Sequence, residues 1–263
     1  MGTGRARRVV SAAAVLALVT LTAGCEDDDA GTGADKPAAA SPSTGAAAKP
    51  SVSKPPSEPP KPLPTADPAL GGKTLDKTQL GKVAVADGEV ANFSVAALQG
   101  GEDTGTERAE QPECQPLAAV INGAPEPAPA ATVFRTAMDK SEEGRDDQSV
   151  VTLILTSHRG SGAQQLMTSV RTAARACAGG FRTTGGDGPS TYSEVRELPT
   201  AGPGEDAFTY QVTGAVEGNK VPLVFHLVRK GSTVVTFYTG NFVDAKTPAL
   251  PASLVTAQTA KLP

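Results

Sequence analysis

Hydrophobic and polar residues alternate along several short segments of the chain, and this period of two predicts β-strands. In the segment 148–157, Val151, Leu153 and Leu155 fall on one face, as expected for a strand. The segment 131–138 fits a strand or a helix equally well. Similar alternation predicts further strands at 89–98, 190–198, 207–216, 221–230 and 233–240.

Apolar residues at intervals of three and four mark the best helix of the chain, over 161–178. Leu166 and Val170 share its apolar face. Ser161 and Gln164 form a capping-box pattern at its start, and two glycines follow it as a stop. Weaker patterns predict short helices over 113–122 and 252–262.

These elements predict the fold class. Strands that follow one another through short turns, with few helices, are typical of an α+β fold. All ten aromatic residues lie between Phe93 and Phe242, which marks the extent of the core. We therefore predict one globular domain over 73–263, built as a twisted antiparallel sheet packed with a few helices.

The N-terminal part of the chain lacks this patterning. Three arginines precede an uncharged, mostly apolar run over 9–21, and small residues then lead to Cys25. Since so short a run cannot span a bilayer core of ~30 Å, we predict a signal peptide over 1–24. The residues before Cys25 resemble the lipobox of bacterial lipoproteins, which implies that this thiol accepts diacylglycerol. An ordinary cleavable signal is the alternative.

Residues 25–72 form the predicted lipid anchor and linker. The stretch 26–72 holds ten of the 22 prolines and no aromatic residue. It cannot bury enough apolar area to offset the entropy of ordering, so we predict a disordered tether. The chain has 24 basic and 28 acidic residues, and loss of three arginines with the signal peptide leaves a net charge of −7. This charge disfavours nucleic acid as a partner and leaves the acyl group as the membrane contact.

Two cysteines remain once Cys25 is acylated, namely Cys114 and Cys177. An exported domain lies in an oxidising compartment, where two thiols commonly pair, so we predict a disulfide. Two separate buried thiols are the alternative. A zinc site is disfavoured because no histidine lies near either cysteine in the sequence.

The hairpin formed by 221–230 and 233–240 has two apolar faces. A two-residue turn at Lys230-Gly231 would pair Arg229 with Ser232 and set the register. One face then carries Val224, His226, Val235 and Phe237. Since neither face can be exposed to water, we predict that this second face lines a ligand cleft with His226 as a polar group. A core histidine bonded to one neighbour is the alternative.

Catalytic motifs are not found in the sequence. It contains no nucleophile elbow, zinc-protease motif or phosphate-binding loop. Ser157 and His158 are neighbours in a strand and point to opposite faces, so they cannot form a nucleophile–base pair. We predict neither an enzyme, nor a metal site, nor a cofactor.

Five segments together resemble a known family. They are 87–90, 114–117, 149–156, 177–181 and 225–238. The set is similar to actinobacterial lipoproteins related to the extracellular sensor domain of mycobacterial PknH-type serine/threonine kinases. The resemblance implies an antiparallel sheet backed by helices around a cleft, and a ligand-sensing role. This chain departs from the kinase sensors in having cysteines for one disulfide instead of two, and in lacking a kinase domain.

The predicted function follows from these features. We expect a monomeric lipoprotein, anchored through Cys25 on the extracytoplasmic face of the cell membrane. Its domain would bind or sense a small apolar or amphipathic ligand, or a cell-wall fragment. The alternative is an envelope protein that docks another protein and has no small-molecule ligand.

Overall fold

The computed structural model describes residues 72–98, 104–142, 144, 150–186, 188–200, 202, 206–216 and 218–263. The predicted signal peptide, the lipidation site Cys25 and the predicted linker up to residue 71 lie outside the described residues. Within these ranges, none of the helices is long and apolar enough to cross a membrane.

The helices are α1 (Lys77–Val83), α2 (Gln115–Ile121), α3 (Gly162–Ala176) and α4 (Ala252–Lys261). The first strands are β1 (Phe93–Ala97), β2 (Arg108–Ala109), β3 (Ala131–Asp139), β4 (Val150–Ser157) and β5 (Phe181–Thr184). The later strands are β6 (Ser190–Tyr192), β7 (Glu194–Leu198), β8 (Asp206–Val216), β9 (Asn219–Lys230) and β10 (Thr233–Gly240). The ambiguous segment 131–138 is therefore a strand.

A seven-stranded antiparallel sheet organises the domain, in the order β1-β3-β4-β10-β9-β8-β7. A smaller sheet has the order β2-β5-β6. The predicted α+β class is confirmed. The single strand predicted over 190–198 is wrong, because the chain leaves the small sheet after Tyr192 and enters the large sheet at Glu194. Ser193 lies between the two strands and donates its N–H to the carbonyl of Thr213 at 2.8 Å.

Helices cover the large sheet on both sides. On the side that we call the α3 face, side chains of β8, β9 and β10 pack with α2 and α3; they include Phe208, Tyr210, Phe225, Leu227 and Val234. On the opposite side, the α4 face, the core contains residues of α1 and α4 packed with others that include Leu153, Leu155, Val228, Val235 and Phe237. Because side chains alternate along each strand, the sheet contributes residues to two separate cores, one on each face.

The β9–β10 hairpin differs from its predicted register. Lys230 pairs with Thr233, so the two-residue turn is Gly231-Ser232. Arg229 therefore pairs with Val234 and not with Ser232, and the predicted pairing is wrong by two residues. Gly231 has φ 55°, a left-handed conformation that favours glycine at the first turn position. Because a shift of two residues preserves the alternation of side chains, the four predicted cleft residues still share one face.

The capping box predicted at the start of α3 does not form. The Ser161 side chain makes no capping hydrogen bond, and its Oγ instead accepts from the Gln165 side chain at 2.8 Å. Ser161 has ψ 10°, far from the extended conformation typical of a capping residue. A complete capping box occurs at α1, where Asp76 and Gln79 each bond the other's backbone N–H.

Side-chain hydrogen bonds hold the weakly predicted helix α4 against the segment that follows α1. Gln258 accepts from the N–H of Val85 and donates to the carbonyl of Val83, both at 2.9 Å. Lys261 donates to the carbonyl of Ala84 at 2.8 Å and pairs with Glu89 at 2.7 Å. These contacts fix α4 at one end of the α4 face.

Cys114 and Cys177 form a disulfide, as predicted, with their Cα atoms 6.0 Å apart. The bond joins the start of α2 to the end of α3 and lies in the core of the α3 face.

The two ends of the domain meet at the β9–β10 turn. Ser232 donates its hydroxyl to the carbonyl of Lys73. A Cβ added at Gly231 would lie 3.3 Å from the Cα of Gly72 and 3.8 Å from the carbonyl oxygen of Pro263. The neighbouring Lys230 ammonium donates to the carbonyl of Leu262 at 2.8 Å.

Candidate ligand groove

The predicted cleft residues divide into two pairs. Val224 and His226 line a groove of about 350 Å³ on the α4 face. Val235 and Phe237 are fully buried in the core instead, so their placement in the cleft is corrected. The physical reason is the packing of α4, since Leu254 of that helix belongs to the same core cluster as both side chains.

Three neighbouring strands form the floor of the groove. The register places Leu198 of β7 opposite Thr209 of β8, and Thr209 opposite His226 of β9. Val224 lies two residues from His226 on the same face. The walls come from the loop after β7, from the segment that leads into α4 and from the first turns of α4; they include Pro199, Gly202, Pro248, Leu250, Ala252 and Val255.

The polar group of the groove is His226, and one of its two ring nitrogens has a hydrogen-bond partner. Oγ1 of Thr209 lies 2.7 Å from Nδ1 of His226. Nε2 of His226 is buried and has no hydrogen-bond partner among the residues that the structure describes. Burial lowers the pKa of His226, so the ring is neutral at pH 7 and carries one donor and one acceptor nitrogen. A ligand can therefore bond this ring without an accompanying charge.

A second, polar hollow of about 610 Å³ adjoins the groove, and Thr247 lines both. Arg196 of β7 and Gln211 of β8 are opposite each other in the sheet and both line this hollow. These two residues were not predicted from the sequence, because they meet only through the pairing of β7 with β8. The sequence of β8 did contain an indication of this polar hollow. Thr209, Gln211 and Thr213 alternate there with apolar residues, and all three are buried.

Ser157 and His158 have separate partners, as their alternation predicts. Ser157 Oγ accepts from the N–H of Leu75 at 2.7 Å, while Nε2 of His158 lies 3.0 Å from Oγ1 of Thr156. Burial lowers the pKa of His158 to about 4, and a hydrogen bond to the backbone of Pro127 opposes this shift in part. The two side chains do not form a nucleophile–base pair.

Among the residues that the structure describes, no group of three or more His, Cys, Asp or Glu side chains is placed to hold a metal ion.

Comparisons with known proteins give little beyond the fold. No family model matches the chain, and no curated protein matches it. Among solved structures, the extracellular domain of PknH from Mycobacterium tuberculosis is similar over 72% of this chain and 97% of that one. The sequence identity is 11% and the TM-score 0.45. This is a distant resemblance in fold, and it assigns no ligand and no functional residue to this chain.

Proposed function

We propose that the domain binds a small apolar or amphipathic molecule in the groove over β7, β8 and β9. The observation that carries this proposal is an apolar groove lined by His226, whose buried Nε2 has no hydrogen-bond partner among the described residues. A volume of about 350 Å³ falls within the range of small-molecule sites, about 300–1,000 Å³.

Two contributions would favour such a ligand. Each methylene group transferred from water to the apolar walls contributes about 0.8 kcal/mol. A buried polar atom without a partner costs about 1–3 kcal/mol, and a ligand that bonds Nε2 of His226 would remove that penalty. The apolar walls therefore supply affinity, and His226 supplies orientation.

We propose binding rather than catalysis for this site. His226 is the titratable side chain of the groove, and the described residues that line it include no carboxylate and no cysteine. General acid–base chemistry needs a second group positioned to exchange protons with the reacting atoms. The composition of the walls favours a molecule that is held unchanged.

We also propose that the mature chain is a monomeric lipoprotein on the extracytoplasmic face of the cell membrane, anchored through Cys25. The basic and apolar start of the chain supports this location, and a disulfide fits an oxidising compartment. Two acyl chains hold a protein on a membrane firmly, whereas one holds it marginally. We expect Cys25→Ala to move the protein from the membrane fraction to the soluble or unprocessed fraction. Unchanged membrane fractionation of that variant would contradict the anchor.

The groove is tested by filling it. We expect the whole chain with Cys25→Ala, which carries no acyl group, to bind 1-decanol in calorimetric titrations. Val224→Trp should weaken this binding at least about tenfold, because the indole would occupy the groove. Val243→Trp is the matched control, since Val243 is 70% exposed and lies outside the groove. Equal binding by Val224→Trp and the parent chain would show that the groove is not the site.

The alternative, an envelope protein that docks another protein, remains a prediction. It would be favoured if decanol fails to bind the chain at all.

A further inference from the structure

The polar hollow continues the groove along β8. Leu198, Thr209 and His226 form one row of paired residues across the apolar end of the groove. The next row consists of Arg196, Gln211 and Val224. Because successive rows on one face of a sheet lie two residues apart, the two hollows are neighbours on one surface. Thr247, from the segment before α4, borders both of them.

A hydrogen-bonded network holds Arg196 in place. Its Nη2 donates to Oε1 of Gln211 at 2.9 Å and to Oγ1 of Thr247 at 2.6 Å. Gln211 in turn donates to Oγ1 of Thr213 at 3.0 Å, and both of these side chains are buried. These bonds use one nitrogen of the guanidinium group. The other two nitrogens have no partner in the part of the chain that the structure describes.

Carboxylates of the described residues do not neutralise the cations of this hollow. Arg171, Arg175, Arg182 and Arg229 of the same domain each have a carboxylate partner. Among the described residues, the two cations of the polar hollow, Arg196 and Lys220, have none. Glu194 also lines the hollow, so among its described lining residues cations exceed carboxylates by one. This excess of positive charge occurs in a chain whose net charge is −4.

We infer that the ligand is an amphipathic anion whose alkyl chain occupies the apolar groove and whose carboxylate or phosphate head lies between Arg196 and Lys220. This inference rests on the proposed function. With Nη2 engaged, the fixed guanidinium group still offers an N–H of Nε or of Nη1, together with its charge, to a carboxylate or phosphate oxygen. Lys220 adds a point charge on a flexible stem.

The experiment compares head groups on one alkyl chain. Decanoate, 1-decanol and decylammonium are titrated into the whole chain carrying Cys25→Ala, with acetate and inorganic phosphate as anions without an alkyl chain. We expect decanoate to bind at least about fivefold more tightly than decanol, and decylammonium more weakly than either. Acetate and phosphate should bind far more weakly than decanoate, since they leave the groove empty.

Two variants test whether the two cations bind the head group, one variant is a charge control, and one removes the carboxylate of the hollow. Arg196→Gln and Lys220→Gln should each remove most of the preference for decanoate over decanol. The Lys220 side chain makes no hydrogen bond or ion pair with another described residue, so its substitution should not disturb the fold. Arg175→Gln removes one positive charge outside both hollows and should preserve the preference. Glu194→Gln should strengthen decanoate binding about two- to threefold.

The possible failures are distinguishable. Equal binding of decanoate and decanol, with both weakened by Val224→Trp, would overturn the anionic head and leave the groove intact. Binding of acetate or phosphate as tightly as decanoate would overturn the amphipathic ligand. Absence of binding by every alkyl probe would overturn the proposed function together with this inference.

Discussion

The two faces of the seven-stranded sheet differ in how they are closed. On the α3 face, helices α2 and α3 cover the strands, and the Cys114–Cys177 disulfide ties these helices together. Stacked rings cross the strands in the sequence Phe208, Tyr210, Phe225 and Tyr238. On the α4 face, α1 and α4 pack over β4 and β10, whereas the groove lies over β7, β8 and the adjoining part of β9.

Successive residues of β8 show this difference between the two faces. Phe208, Tyr210 and Val212 point into the core of the α3 face. The residues between and after them are polar, namely Thr209, Gln211 and Thr213, and they are buried on the opposite face. Buried polar side chains usually form hydrogen bonds. Strand β8 is therefore apolar toward one helical layer and polar toward the face that carries the candidate groove.

Neighbouring residues of β9 give the largest expected contrast in stability. Phe225 stacks between Tyr210 and Tyr238 on the α3 face, whereas Val224 borders the groove. Phe225→Ala should lower the free energy of unfolding by about 5 kcal/mol, because it opens a cavity in a closed core. Val224→Ala should lower it by less than about 2 kcal/mol, since a hollow is already present there. Urea denaturation measures both, and equal losses would mean that the faces are equally closed.

The disulfide should stabilise the fold without shaping the groove. Closing a loop between positions 63 apart contributes roughly 4 kcal/mol in the loop-entropy model. Replacing Cys114 and Cys177 together by Ala should cost about that much in urea denaturation. Decanol binding under native conditions should be unchanged, because the bond lies on the α3 face. A loss of binding in the folded double variant would show that the two faces are coupled.

A histidine at the edge of the α3 face should make stability depend on pH. The pKa of His158 is about 4 in the folded chain and about 6.5 when unfolded. Between these values the unfolded state binds more protons, so the free energy of unfolding falls as the pH is lowered from 6.5 to 4. The full shift corresponds to about 3 kcal/mol, and solvent screening reduces the expected loss to about 2 kcal/mol.

The control for this pH effect is His158→Gln, which should show a shallower decline of stability over the same pH range. An NMR titration of the His158 ring measures the folded pKa directly. A folded pKa near 6.5 would remove the predicted dependence.

Local sequence patterns predicted much of the fold. The alternation of 148–157 and the helical spacing of 161–178 depend on neighbouring residues, and the structure confirms both elements as β4 and α3. The disulfide followed from the compartment and from the number of cysteines. Helix α1 and the short strands β2 and β5 were missed, because brief segments carry too few residues to show a period.

The candidate groove was predicted only in part, because its geometry depends on distant contacts. The shared face of Val224 and His226 was predicted from the hairpin, whose two strands are adjacent in sequence. The burial of Val235 and Phe237 depends on α4, a helix with a weak amphipathic pattern that is held by contacts of Gln258 and Lys261. Arg196 lies opposite Gln211 through the β7–β8 pairing, which no local pattern specifies.

The meeting of both domain ends at Gly231 has a consequence for engineering. A few residues linking Pro263 to Gly72 would close the chain into a ring, because both ends already contact one turn. New termini could then be opened in another surface loop, giving a circular permutant that retains every strand pairing. The same geometry allows the domain to be inserted as a unit into a loop of a host protein, with the groove left accessible.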